Sequence, residues 1–225
     1  STPSVWLDEL ATKYEIPLVV GEHLSGIAAD WNFALSQVET TLATLCHQDD
    51  LLEPTYLQTA LQQLNQAVDP LIFFSNYGEI RNHRAQKKTG NLFIKRALLL
   101  PIRVLGTLRS RILKRSILAF GNAICCPSVT YVMDRMVMPV FEHGLKSNLD
   151  WETWEKLSRT KGSFVYSRRI LLWHRIHAES ETTRTIESQQ RTNEDLVILR
   201  KFWPTPIAKT IARIYALSER SNRIK

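Results

Sequence analysis

Segments with helical spacing alternate with short apolar runs of strand length from residue 4 to residue 76, and this alternation restricts the fold more than any other feature of the chain. In residues 4–14, Val5, Leu7, Leu10 and Ala11 are interleaved with Asp8, Glu9 and Lys13, which predicts a helix. Residues 16–20 predict a short strand. Residues 25–35 predict a second helix, with Ile27, Ala28, Trp31 and Leu35 on one face. Residues 40–46 form an apolar run that stops abruptly at His47-Gln48-Asp49-Asp50. Residues 52–68 are helical in spacing and open near Pro54, which suits a first helical turn. Residues 71–76 predict a compact strand. Such a pattern points to a three-layer α/β fold, a mostly parallel sheet flanked by helices.

The remainder carries the same logic less regularly. Residues 77–91 are polar and basic and predict a mobile loop. Residues 92–118 predict helix in pieces around Pro101, and 120–131 a turn followed by a strand. Residues 150–160 space Trp151, Trp154 and Leu157 as a helix does. Residues 163–174 predict a basic strand. Two closing helices, over 192–202 and 206–221, make 192–225 the C-terminal helical part. The 225 residues read as a single domain, 1–225, large enough to bury its core without disulfides. The cysteines are Cys46, Cys125 and Cys126; their odd number and the adjacency of two argue against a disulfide framework. A reducing, cytoplasmic setting follows as the expectation. The longest apolar stretch, 97–108, is interrupted by Pro101 and Arg103, so no membrane span is expected.

The formal charge is +7, and its placement matters more than its size. No Asp or Glu occurs from Arg81 to Met133, while Lys87, Lys88, Lys95, Arg96, Arg103, Arg109, Arg111, Lys114 and Arg115 all do. The basic segment 81–118 suits nucleic acid, anionic lipid or a phosphate-rich substrate. Its charges alternate with long aliphatic runs rather than aromatics, which favours a lipid interface over base stacking. An anionic membrane surface is therefore an expected partner and nucleic acid is not. The expected lipid-facing set is Leu98, Leu99, Ile102, Leu105, Leu108 and Ile112. A basic binding module is the reading from a different class.

Three places carry chemistry. Cys46-His47-Gln48-Asp49-Asp50 ends an apolar strand, where α/β sheets gather ligands, and its carboxylates suit a divalent ion on a diphosphate. A solvated loop or a cap for the following helix explains the same residues. Asp150, in Leu149-Asp150-Trp151-Glu152-Thr153-Trp154, opens an aromatic helix as a plain cap or as a general base. In Trp173-His174-Arg175-Ile176-His177, Arg175 and His177 face the same way if extended, which suits a diphosphate and its metal. Solvent-facing residues on an edge strand give the same pattern.

The order of these segments resembles a family-two glycosyltransferase of the GT-A type, from the bacterial group that builds surface polysaccharides. The carrying residues are Gly26-Ile27-Ala28-Ala29-Asp30-Trp31-Asn32-Phe33-Ala34-Leu35, then Leu45-Cys46-His47-Gln48-Asp49-Asp50, then Phe120-Gly121-Asn122 with Pro127-Ser128-Val129, then the Asp150 segment, then His174-Arg175-Ile176-His177. The resemblance covers nearly the whole chain. It implies a Rossmann-like GT-A fold and an inverting transferase that takes a sugar from a nucleotide-diphosphate donor, a UDP-sugar foremost. The acceptor is a glycan or lipid-linked hydroxyl, and the enzyme works in the cytoplasm or peripherally at the inner membrane face. By the same resemblance Asp150 is the catalytic base. Asp49, Asp50, Arg175, His177 and Asn32 lie toward the donor diphosphate, with Asp49 and His177 holding Mn²⁺ or Mg²⁺. Gly121, Asn122 and Trp151 lie on the acceptor side. Two departures stand out. His47 occupies the place where the family's acidic motif begins with Asp, so a carboxylate charge is lost there. The chain also opens on residues resembling those just after the family's second strand, so an N-terminally truncated fold without the nucleobase-holding βαβ unit is expected. An inactive fragment is the companion reading.

Overall fold

The computed structural model describes residues 4–21, 26–176 and 189–220. Two helices come first, α1 (Val5–Lys13) and α2 (Ile27–Ser36). Ser4 caps α1 by accepting from Leu7 N at 3.3 Å. The strand expected at 16–20 is absent. Pro17 lacks an N–H for a ladder, and Ile16, Leu18, Val19 and Val20 remain exposed. Next come β1 (Leu42–Thr44), β2 (Leu51–Leu52), α3 (Tyr56–Gln66), β3 (Pro70–Arg81) and β4 (Arg84–Gln86). The polar segment at 77–91 is thus largely a hairpin rather than a loop. Asn82 and His83 turn it with positive φ, a conformation that Asn and His adopt more readily than most residues.

The basic segment continues as α4 (Gly90–Leu98), α5 (Leu100–Leu105), β5 (Thr107–Leu108) and α6 (Arg111–Ser116). Pro101 stands in the first turn of α5, where its missing N–H costs nothing. The last elements are β6 (Val129–Val132), α7 (Leu149–Arg159), β7 (Ser163–Ile176), α8 (Gln189–Leu199) and α9 (Thr205–Arg220).

The seven strands form one mixed sheet in the order β1-β6-β3-β7-β2, with β4 added to β3 and β5 to β7. The expectation of a mostly parallel sheet is corrected here. Only β3 and β7 run parallel; the β1–β6, β6–β3, β3–β4, β7–β2 and β7–β5 pairs are antiparallel. Several of these partners are strands of two or three residues contributed by turns, and an alternation of long helices and strands cannot signal them.

Alternation along β3 and β7 divides the core between the two faces of the sheet. Phe73 and Val165 meet Tyr56, Ala60 and Leu64 of α3. Ile72, Phe74, Phe164 and Tyr166 join Trp151 and Trp154 of α7, with Ile198, Leu199, Ala208 and Ala212 of the closing helices. Close approach requires Gly78: a Cβ there would lie 2.5 Å from the Trp173 ring.

Four of the six residues of the expected lipid-facing surface belong to this core instead. Leu99, Ile102 and Leu108 are buried, and Leu98 packs partly against them, whereas Leu105 and Ile112 are exposed. Lys114 is fully buried as well. Its Nζ donates to the carbonyls of Thr160 at 2.6 Å and Gly162 at 2.9 Å, and burial pushes its pKa down to about 8. Among the described residues, no helix is long and apolar enough to cross a membrane. The three cysteines are free thiols.

Candidate active site

Residues His47–Asp50 form a turn in which Asp50 N donates to His47 O at 3.3 Å. This turn carries the chain from β1, at one edge of the sheet, to β2, at the other. Asp50 is the brace that fixes it. Its carboxylate accepts from Arg175 N at 2.9 Å, and His174 Nδ1 lies 2.9 and 3.2 Å from its two oxygens. Arg175 Nε donates to the Asp49 carbonyl at 2.9 Å. The end of β7 and the turn after β1 therefore lock together, and the sequence-predicted residues Asp49, Asp50 and Arg175 do converge. His177 lies outside the described residues.

His47, Asp49 and Asp50 each offer a ligand atom, all within 4.8 Å of one another. The His47 ring stacks on Trp31 with centroids 5.3 Å apart, and Trp31 in turn meets Phe141 edge-on. His47 Nε2 is buried with no hydrogen-bond partner among the described residues. Burial pushes the His47 pKa down, against the opposing charge of Asp50. A neutral imidazole with an unsatisfied nitrogen beside two carboxylates is the protonation state a metal ligand needs. His47, Asp49 and Asp50 together offer one nitrogen and two carboxylates that could hold a divalent cation.

Asp150 sits in the first turn of α7, but Asn148 holds the cap position, so Asp150 is not the helix cap. Trp151 N donates to its Oδ1 at 2.8 Å and Asn122 Nδ2 to its Oδ2 at 2.6 Å. Burial pushes the Asp150 pKa up, and the Asn122 and Trp151 hydrogen bonds oppose that rise. Asn122 Oδ1 is a second buried atom with no partner among the described residues.

A support that the sequence did not suggest lies behind Asp150. Glu194 of α8 accepts from Lys146 N, Ser147 N, Ser147 Oγ and Asn148 N at 2.6–3.2 Å. Asn148 Nδ2 donates to Asp195 at 2.7 Å. Burial works against charge on Glu194, but these bonds prevail and hold its pKa below the usual carboxylate range. The adjacent acids Glu194 and Asp195 in the helix-forming sequence were the available signal.

Two expected site residues are corrected. Asn32 is buried and spends its amide on the backbone of Phe141, donating to Phe141 O at 2.8 Å and accepting from Phe141 N at 3.0 Å. It anchors α2 to the backbone at Phe141. Trp151 is wholly buried and donates from Nε1 to Leu118 O at 3.1 Å, so it packs the core and cannot touch an acceptor. Gly121 stays glycine for a packing reason: a Cβ there would lie 2.8 Å from the Tyr215 ring of α9.

No protein-family model and no characterised protein matches the chain. The structure holds a half-buried, oriented carboxylate at Asp150 and a turn that gathers His47, Asp49 and Asp50 with Arg175 against it. This arrangement can take a proton from a hydroxyl and can balance the charge of an anionic leaving group.

Proposed function

We propose that the chain carries the catalytic residues of an inverting GT-A glycosyltransferase. It transfers a sugar from a nucleotide-diphosphate donor, foremost a UDP-sugar, to a hydroxyl of a glycan or lipid-linked acceptor in surface polysaccharide synthesis, at the cytoplasmic side of a membrane. The observation that most supports this reading is Asp150: a carboxyl at the start of α7 oriented by Asn122 and the Trp151 N–H, at the position that the resemblance gives to the catalytic base.

In the reaction, the ionised Asp150 takes the acceptor hydroxyl proton as that oxygen bonds to the anomeric carbon, from the face opposite the nucleotide. The bond to the diphosphate breaks, and the leaving group takes the electron pair. Asp49 and His47 would hold a divalent cation, which when bound offsets charge on the diphosphate. Asp50 positions Arg175 and His174 rather than acting as a free ligand, since both of its oxygens are engaged by β7. Asn122 fixes the direction of the Asp150 carboxyl.

The reading predicts release of nucleoside diphosphate from a nucleotide sugar in the presence of Mn²⁺, faster when a hydroxyl acceptor is added. A panel of UDP-, GDP- and dTDP-sugars, followed by a coupled assay for the released diphosphate, measures it. Failure of every donor, with and without acceptor, counts against the transferase.

A further inference from the structure

The geometry points to a membrane-docking surface on the outward face of α4 and α5, and we propose that its partner is an anionic lipid bilayer. The inference does not depend on the catalytic reading. Along the nearly continuous helical segment 90–105, Phe93, Ala97, Leu100 and Val104 follow one another at steps of four, three and four residues. Phe93 and Ala97 thereby share one face of α4, and Leu100 and Val104 one face of α5. These faces are open: Phe93 is 76% exposed, Leu100 58% and Val104 65%, and Leu105 beside them is 59% exposed. The inward face is already satisfied, because Leu92, Leu99 and Ile102 are buried. A helix pair that is apolar on both faces, with only one face covered by the protein, presents a surface for something else.

Charge selects the occupant. The segment from Arg81 to Met133 holds no acidic residue. Arg96, Arg103 and Arg109 are spoken for: Arg96 donates to Asn76 Oδ1, Lys87 O and Tyr77 O, Arg103 to Arg96 O, and Arg109 to Asp69. Other basic side chains before, beside and after the two helices are exposed, although Lys87 also lies over the Trp173 ring. Lys87 and Lys88 are exposed just before α4. At the far end the exposed Arg168 donates from Nη2 to Val104 O at 3.2 Å, and Arg111 is exposed next to Ile112, which is itself 78% exposed. An aliphatic centre with one aromatic and a basic surround matches the acyl–headgroup boundary of an anionic bilayer. A nucleic-acid surface would set several aromatics in a basic groove, and only Phe93 is aromatic here.

Cosedimentation of the full chain with vesicles tests the surface. Vesicles of phosphatidylcholine alone are compared with vesicles that also contain phosphatidylglycerol, at low salt and at 1 M salt. Binding is expected to the anionic vesicles and to fall at 1 M, where the Debye length shrinks to about 3 Å. The double variant Phe93→Ser/Val104→Ser should bind anionic vesicles at least about tenfold less, with an unchanged melting temperature because both side chains are exposed. Lys87→Glu/Lys88→Glu should weaken binding without touching the apolar stripe. Equal binding to neutral and anionic vesicles, variants that bind like the wild type, or a stripe that instead mediates self-association or DNA binding would each overturn the proposal.

Discussion

Replacing Asp150 by asparagine lowers sugar transfer by about 10²–10⁴-fold, the range typical of a lost general base, while nucleotide binding stays close to wild type. Asparagine keeps the size of the side chain and one accepting oxygen, for either Asn122 Nδ2 or the Trp151 N–H but not both, and the helix start is preserved because Asn148 holds the cap position. What it lacks is an oxygen able to take a proton. The binding of the nucleotide, on the side of Asp49 and Arg175, is not expected to change. A pH signature accompanies the loss. Burial pushes the Asp150 pKa up, so the acid limb of the wild-type rate profile lies above the ordinary carboxylate range, and activity falls as pH drops through it. Any residual activity of the variant should lack that limb. Initial rates against pH, paired with nucleotide titrations on the same preparations, check both points. Unchanged turnover in the variant removes Asp150 from the mechanism.

Glu194→Ala destabilises the fold by about 2–4 kcal/mol and lowers transfer with it. The carboxylate satisfies three backbone N–H groups and the Ser147 hydroxyl in the loop that leads into α7. Leaving buried donors unsatisfied costs about 1–3 kcal/mol each, and the exposed share of the loop lets water recover part of the sum. Glu194→Gln keeps the shape and one accepting oxygen, so its loss is smaller. The pH dependence has a definite sign. The folded-state pKa of Glu194 lies below the ordinary value of 4.5, so its contribution is fully present above 4.5 and is lost as pH falls through the folded value. Denaturant unfolding at neutral and acid pH should show the gap between wild type and Glu194→Gln narrowing in acid. A gap that does not change with pH means that the carboxylate charge is not what holds the loop.

Particular residues show where sequence reasoning reached and where it stopped. The helical spacing of residues 52–68 and 150–160 is read directly, because one apolar face of each helix meets the core, whereas the helix at residues 4–14 forms with none of its side chains buried. The turn at His47–Asp50 and its convergence with Arg175 were also legible, since strand ends collect polar groups in an α/β sheet. Strand direction was not. The pairing of β1 with β6 and of β2 with β7 depends on chain paths between them, and two- or three-residue strands leave no periodic trace. The resemblance sets Asn32 toward the donor, whereas its bonds to Phe141 join positions far apart in the chain that no local pattern reveals. Trp151 looked like a neighbour of the base because it adjoins Asp150, but one step along a helix turns a side chain by about 100°, and here that step leads into the core. Lys114 shows the same limit for charge: a basic run does not reveal which of its members two carbonyls will bury.

The claim that the His47–Asp50 turn and Arg175 form a cation-assisted diphosphate site is tested most directly by calorimetric titration of uridine diphosphate into the protein with and without Mn²⁺. The account predicts that Mn²⁺ raises the affinity of the wild type and that Asp49→Ala abolishes this gain, because the Asp49 carboxylate is the charge that joins cation to turn. Equal affinities with and without Mn²⁺ in the wild type, or a gain that survives in Asp49→Ala, would contradict it.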